Sequence, residues 1–227
     1  PEGPHVAEMI ARRGHARMVA GDLEGAEADY ELALEHSPEA SALWRGRGIV
    51  RERAGNLKGA IQDFEKACEL DPSSPQDWFN LGLVLMRGQE PARAIRAFTT
   101  ALDRSQPHPL PLMRRAVARL ETGDESGWLA DVFAAARLAP REPVEVWPAS
   151  PRTDLAYAAA LAAEGMGPLA TRRLETIRLG PDADLDTRAT ALLWTWVGHV
   201  GRTGTNPAVT RIRDLLQAEA GAAPTPW

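Results

Sequence analysis

Residues 41–72 read SALWRGRGIVRERAGNLKGAIQDFEKACELDP, and this stretch decides the fold because it recurs. Gly48 has counterparts 34 residues away on either side, Gly14 and Gly82, and Ala116 continues the series. Ala60 answers to Ala26 and Ala94. Phe64 answers to Tyr30, Phe98 and Val132, and Ala67 to Ala33, Ala101 and Ala135. Pro72 follows Pro38 by the same step, and Pro140 stands two steps further on. A large apolar residue opens each unit (Ile10, Trp44, Trp78, Leu112), and Gly-Asp or Gly-Asn at 21–22, 55–56 and 123–124 marks a turn midway. Fixed self-similarity of this kind is the signature of a repeat architecture. Each unit reads as two helices. Small residues at the Gly48 and Ala60 slots let the helices approach closely. The aromatic at the Phe64 slot fills the wedge toward the next unit. Proline stops the second helix because it has no N–H to donate. Each hairpin leaves one apolar side uncovered, so the units must stack.

These residues resemble the tetratricopeptide repeat (TPR) family over four units, residues 7–140. The resemblance implies an all-α fold, a right-handed superhelical solenoid of antiparallel helix hairpins. The fourth unit departs from the pattern. Trp128 stands where Ala26, Ala60 and Ala94 stand, which predicts a splayed or register-shifted hairpin. Beyond residue 140 the phase breaks. Residues 141–152 are Pro-rich and read as a linker. Residues 153–220 read as two degenerate helical hairpins, with Ala158 and Ala170 in small slots, and 221–227 as a frayed tail. Residues 1–140 and 153–220 are expected to form one continuous domain.

A charge covariation supports the register. Arg13, Arg47 and Arg115 each precede the first-helix small residue, and Asp29, Asp63 and Asp131 lie 16 residues on. In the third unit these slots hold Leu81 and Ala97, so charge is present on both helices or on neither. The expectation is an ion pair inside hairpins one, two and four, and none in the third.

The rest of the composition narrows the function. The chain has 227 residues, 26 Lys+Arg against 31 Asp+Glu, and a net charge of −5. A protein that coats phosphate backbones carries a basic excess, so nucleic-acid binding is disfavoured. Only Lys58 and Lys66 are lysines, a bias that suggests a GC-rich bacterial source. The single cysteine, Cys68, excludes an internal disulfide and reads as an inert, semi-buried thiol. No apolar run is long enough to span a bilayer. The chain begins at Pro1, which reads as loss of an N-terminal segment, so bacterial cytoplasm and periplasm both stay open.

No catalytic signature is present: neither G-x-S-x-G, nor H-E-x-x-H, nor a phosphate loop. His5, His15, His36, His108 and His199 form no ligand pair at helical spacing. The expectation is a non-enzyme without cofactor or metal. An enzyme would need a convergent site in the degenerate half, around Asp154, Tyr157, His199 and Arg202. An RNA-reading solenoid of helical hairpins is a further class, and the TPR packing pattern and negative charge argue against it.

The family resemblance implies binding on the concave surface lined by first helices. One stripe per unit gives Ala11, His15 and Met18; Arg45, Ile49 and Glu52; Phe79, Leu83 and Met86; and Met113, Val117 and Leu120. This partner-binding groove is apolar in units three and four, and its methionines would adapt to varied ligands. Glu8, Arg53, Arg87 and Glu121 would rim it. The opposing reading is a stripe covered within the chain by the linker, with Trp147, or by the last helix. Some TPR proteins clamp a chaperone's terminal carboxylate with Lys and Asn. The matching slots here are Ala11, His15, Gly46, Gln76 and Asn80, and only Asn80 suits, so that ligand is not expected. The expected role is a scaffold or adaptor for a protein or peptide with apolar anchors. Narrower versions are a pilotin-like envelope assembly factor, similar in repeat number, and a regulatory segment of a larger signalling protein. Val6, Met9 and Ile10 at the first unit's open end leave homo-oligomerisation possible.

Overall fold

The computed structural model describes residues 3–139 together with Ala156, Ala160 and Leu161, which are buried. The expected linker, the remainder of the two degenerate hairpins, and the residues Trp147, Asp154, Tyr157, Ala158, Ala170, His199 and Arg202 lie outside the described residues. Eight helices are described: α1 (Gly3–Ala20), α2 (Leu23–His36), α3 (Ser41–Arg53), α4 (Leu57–Leu70), α5 (Pro75–Arg87), α6 (Pro91–Arg104), α7 (Pro109–Glu121) and α8 (Glu125–Leu138). The chain divides into two compact units, Pro1–Gln106 with α1–α6, and Pro107–Trp227 with α7 and α8.

In the first unit each helix packs on the next in chain order, and α1 also touches α3. In the second, α7 packs on α8. Helix ends follow local chemistry. Asp22, Asn56 and Asp124 cap α2, α4 and α8 by accepting from the amides of Gly25, Gly59 and Gly127. Before each cap stands a glycine at positive φ (Gly21 +88°, Gly55 +84°, Gly123 +78°), a conformation that costs L-residues about 1–2 kcal/mol. Pro75, Pro91 and Pro109 open α5, α6 and α7, where a missing N–H costs nothing. The second helices stop just before Pro38 and Pro72, and those prolines' carbonyls accept from the Trp44 and Trp78 indoles.

The small slots work by close approach. Gly14 backs onto Asp29 and the Ala26 carbonyl, and Gly48 onto the Phe64 ring. At Gly82 a methyl would stand 2.4 Å from the Phe98 ring, and at Gly46 it would stand 2.3 Å from Tyr30. Ala26, Ala60, Ala94, Phe64 and Phe98 are fully buried.

The third turn breaks the rule of the others. Gln89, not glycine, takes positive φ (60°), and Glu90 caps α6 without a side-chain hydrogen bond. The turn glycine has moved one place back, to Gly88, where φ is negative. The fourth hairpin corrects an expectation. Trp128 is buried, yet Arg115 meets Asp131 at the same register as in hairpins one and two, so this hairpin is not slipped.

Two substitutions test this account. Gly82→Ala should destabilise by about 1–3 kcal/mol, because the new methyl meets a packed ring. Gln89→Gly should stabilise by about 0.5–1 kcal/mol, because relief of the left-handed backbone outweighs glycine's added unfolded-state entropy. Urea unfolding of each variant beside the wild type measures both.

Candidate functional site

Charged side chains organise the faces of these helices. In hairpin one, Arg13 donates from Nε and Nη2 to both oxygens of Asp29, at 2.9 and 2.7 Å. In hairpin two, Arg47 meets Asp63 at 3.0 and 2.7 Å, and in hairpin four Arg115 meets Asp131 at 2.9 and 2.7 Å. All three expected pairs are formed. Asp29, Asp63 and Asp131 are buried. Each also holds a second guanidinium one helical turn further on: Arg17 at 2.8 Å, Arg51 at 3.0 Å and Arg119 at 2.8 Å. Arg17 and Arg119 reach further, to the carbonyls of Gly25 and Gly127. The sequence reading overlooked this second arginine, although positions 17, 51 and 119 keep the 34-residue phase. In hairpin three the three slots hold Leu81, Leu85 and Ala97, all buried.

Arg13's hydrogen bonds hold the Asp29 carboxyl below the usual carboxylate range, with the charges of Arg13 and Arg17 acting the same way and burial opposing them. A depressed carboxylate stabilises the fold above its unfolded value of about 3.9 and stops doing so as pH falls through its lower folded value. Burial pushes the Cys68 thiol up to about 12, so it stays protonated at neutral pH. This is the inert thiol expected.

The stripe read as a partner groove is distributed unevenly. Around α1 and α3 an open recess of about 570 Å³ is lined by Ala7, Ala11, His15, Tyr30, Ala40 and Leu43, with Glu8 and Arg12 at its edge. His15 is exposed and Ala11 half-buried. Met18 does not share that exposure, because it is buried in the core around Ala26, Tyr30 and Val50. Between α3 and α5 the stripe is tied by ion pairs. Arg45 reaches buried Asp77 at 2.9 Å, and Glu52 accepts from Arg87 at 2.8 Å. Ile49, Leu83 and Met86 are half-buried. Phe79 is half-buried too, and its ring tilts onto Phe98 at 5.7 Å between centroids. In the second unit Met113 is fully buried, while Val117 and Leu120 are half-buried. Met18 and Met113 are therefore core residues in this structure, and Phe79 is partly one. Of the expected rim, Glu8 pairs with Arg12, Arg87 with Glu52, and Arg53 and Glu121 are exposed.

A second recess, of about 610 Å³, lies beside the anomalous third turn. Ile61, Gln62 and Glu65 of α4 line it with Gly88, Glu90 and Arg93, and Arg93 bridges Glu65 and Glu90. Among the described residues no group of three or more His, Cys, Asp or Glu side chains is placed to hold a metal. No described helix is long and apolar enough to cross a membrane.

The clamp itself is testable. Asp63→Ala would take from mostly buried Arg47 its two-point partner and from Arg51 one of three carboxylates, and should cost about 3 kcal/mol. Asp29→Asn should cost less, because Arg13 and Arg17 are more exposed. The stability gap between wild type and Asp29→Asn should hold from neutral pH down to about 4 and close below it, as urea midpoints across pH would record.

Comparison with known proteins agrees with this geometry. Comparison with curated protein sequences finds no match. Among solved structures, MamA from Desulfovibrio magneticus RS-1 superposes with a TM-score of 0.60 at 13% identity, over 75% of this chain and 92% of that one. YrrB, described as a TPR protein with an unusual peptide-binding site, gives 0.57 at 18% identity, over 82% and 90%. A Thermobaculum terrenum O-GlcNAc transferase mutant gives 0.55 at 22% identity, over 66% of this chain and 30% of that one. At these identities the likeness is one of fold. The tetratricopeptide repeat family model matches residues 12–75 and 79–143, more than half of the sequence. The hairpins, their paired small slots and that match together make this chain a member of the tetratricopeptide repeat family.

Proposed function

We propose that the protein is a non-enzymatic interaction scaffold or adaptor that holds a segment of a partner protein against the first-helix face of α1, α3 and α5. The supporting observation is the open recess between α1 and α3, which half-buried Ala11 and exposed His15 line together with Tyr30. Its floor of Ala7, Ala40 and Leu43 suits an apolar anchor side chain, and Glu8 and Arg12 at its edge suit a polar backbone. The partner is a peptide segment presenting one or two apolar anchors. Ile49, Leu83 and Met86 extend the surface, with the Arg45–Asp77 and Glu52–Arg87 bridges holding α3 and α5 together around it. YrrB, with its peptide-binding site, is a precedent within the fold.

A randomised peptide library displayed on phage and selected on the whole chain tests this. Enrichment of sequences with spaced apolar residues, lost with the Ala11→Glu, His15→Glu double variant, is the expected result. His15 is exposed and Ala11 is half-buried at the edge of the core, so circular dichroism on the variant should confirm an unchanged fold before the comparison is read. Equal enrichment on the variant, or no enrichment at all, would remove the recess as the binding site.

A further inference from the structure

Tyr30 and Arg45 depart from the apolar pattern of the repeat together. The Tyr30 slot holds Phe64 and Phe98 in hairpins two and three, and the Arg45 slot holds Phe79 and Met113 in units three and four. A hydroxyl on the second helix is thus matched by a guanidinium on the next first helix, and a plain ring by an apolar residue. The structure puts the polar pair side by side. Tyr30 packs so closely on α3 that its Cε1 and Cζ atoms lie 2.3 and 2.6 Å from where a side chain on Gly46 would begin. Cζ bears the hydroxyl, and Arg45 is the chain neighbour of Gly46.

Both groups are only partly used by the fold. Tyr30 lines the recess beside α1 and is 6% exposed, yet among the described residues nothing hydrogen-bonds its hydroxyl. A polar group so deeply set normally has a partner. Burial raises the hydroxyl above its usual pKa, with the charge of Arg45 opposing, so it stays protonated at neutral pH and can donate. Arg45 donates from Nη1 alone to Oδ1 of fully buried Asp77, whose Oδ2 has no partner. A pair serving stability alone would gain from the second, parallel bond. Arg45 is 32% exposed instead, and among the described residues its Nε and Nη2 meet no acceptor. Arg51 shows the same chemistry completed: it is held by buried Asp63 at 3.0 Å, and its Nε still receives Glu27 at 2.6 Å. The other charges lining the recess, Glu8 and Arg12, satisfy each other.

We propose that Tyr30 and Arg45 together receive an acidic side chain of the bound partner segment, an aspartate or glutamate close to its apolar anchor, each donating a hydrogen bond to the carboxylate. The inference rests on the recess being the binding site and adds what the segment must carry there.

Two phage libraries of linear peptides, one admitting Asp and Glu and one without them, are selected on the whole chain. Enrichment that is lost on the Ala11→Glu, His15→Glu chain should come from the first library. The strongest such peptide and its Asn/Gln counterpart are then labelled and titrated by fluorescence anisotropy. Wild type should bind the acidic form about tenfold more tightly. Tyr30→Phe, which gives hairpin one the residue that hairpins two and three already carry, should remove most of that preference and bind the amide form as wild type does. Arg45→Lys, which keeps a cation on Asp77, should do the same. Equal binding of the two forms by wild type, an equal loss of both on Tyr30→Phe, or equal recess-dependent enrichment from the acid-free library would overturn the inference and leave the recess as the binding site. No recess-dependent enrichment from either library, the result if a segment of the chain itself fills the recess, would remove both. Self-association abolished by Tyr30→Phe would overturn the inference by giving the site to a second copy.

Discussion

A buried carboxylate gripped by two guanidiniums one helical turn apart sets the register of hairpins one, two and four. Removing a carboxylate from water costs several kcal/mol unless geometry and hydrogen bonds compensate. Asp29, Asp63 and Asp131 obtain that compensation only when the two helices meet at one register. A slide by a single residue would turn the aspartate about 100° away and leave it buried and unpaired. The bond is therefore more selective than strong. It excludes neighbouring registers that small-residue packing alone would tolerate, since an alanine face looks much the same one step along. That explains why hairpin four keeps its register with a tryptophan in a slot meant for alanine.

Close approach through Gly14, Gly48 and Ala116 brings the helices near enough for the clamp, and the clamp in turn holds the outward faces. Arg47 and Arg51 each serve two masters, the aspartate of their own hairpin and the glutamates of the one before. The interface between hairpins one and two is thus continuous with the interior of hairpin two. A surface supported in this way is preorganised, and a ligand loses little by ordering it. Such rigidity suits a scaffold better than it suits a chemistry that must open and close.

The hairpins, their boundaries and three ion pairs could be read directly from the 34-residue spacing, because packing slots and charge pairs recur in phase. The second arginine of each clamp was equally in phase at 17, 51 and 119, and attention to neighbours of the first would have found it. The groove was harder. A stripe taken at positions 11, 15 and 18 runs along the boundary between core and solvent, and seven residues drift about 20° on an α-helix. That drift carries Met18 into the core. In α3 the same slot holds Glu52, which stays out to meet Arg87. Ion pairs between first helices, such as Arg45 with Asp77, have no in-phase copies, so repetition could not announce them. Met113 looked like its stripe neighbours in sequence, and only the packed structure distinguishes it from Val117.

The third hairpin replaces the whole clamp with Leu81, Leu85 and Ala97, and the turn beside it changes at the same time. Charged and greasy versions of this unit are two separate solutions, with no stepping stone between them. An arginine introduced alone at 81 would be buried without a counterion, and an aspartate alone at 97 would fare no better. Drift from one solution to the other must pass through a poorly folded ancestor or change several codons together. Within a repeat family the units are thus free to diverge at their surfaces, but each inherits its interior as a block.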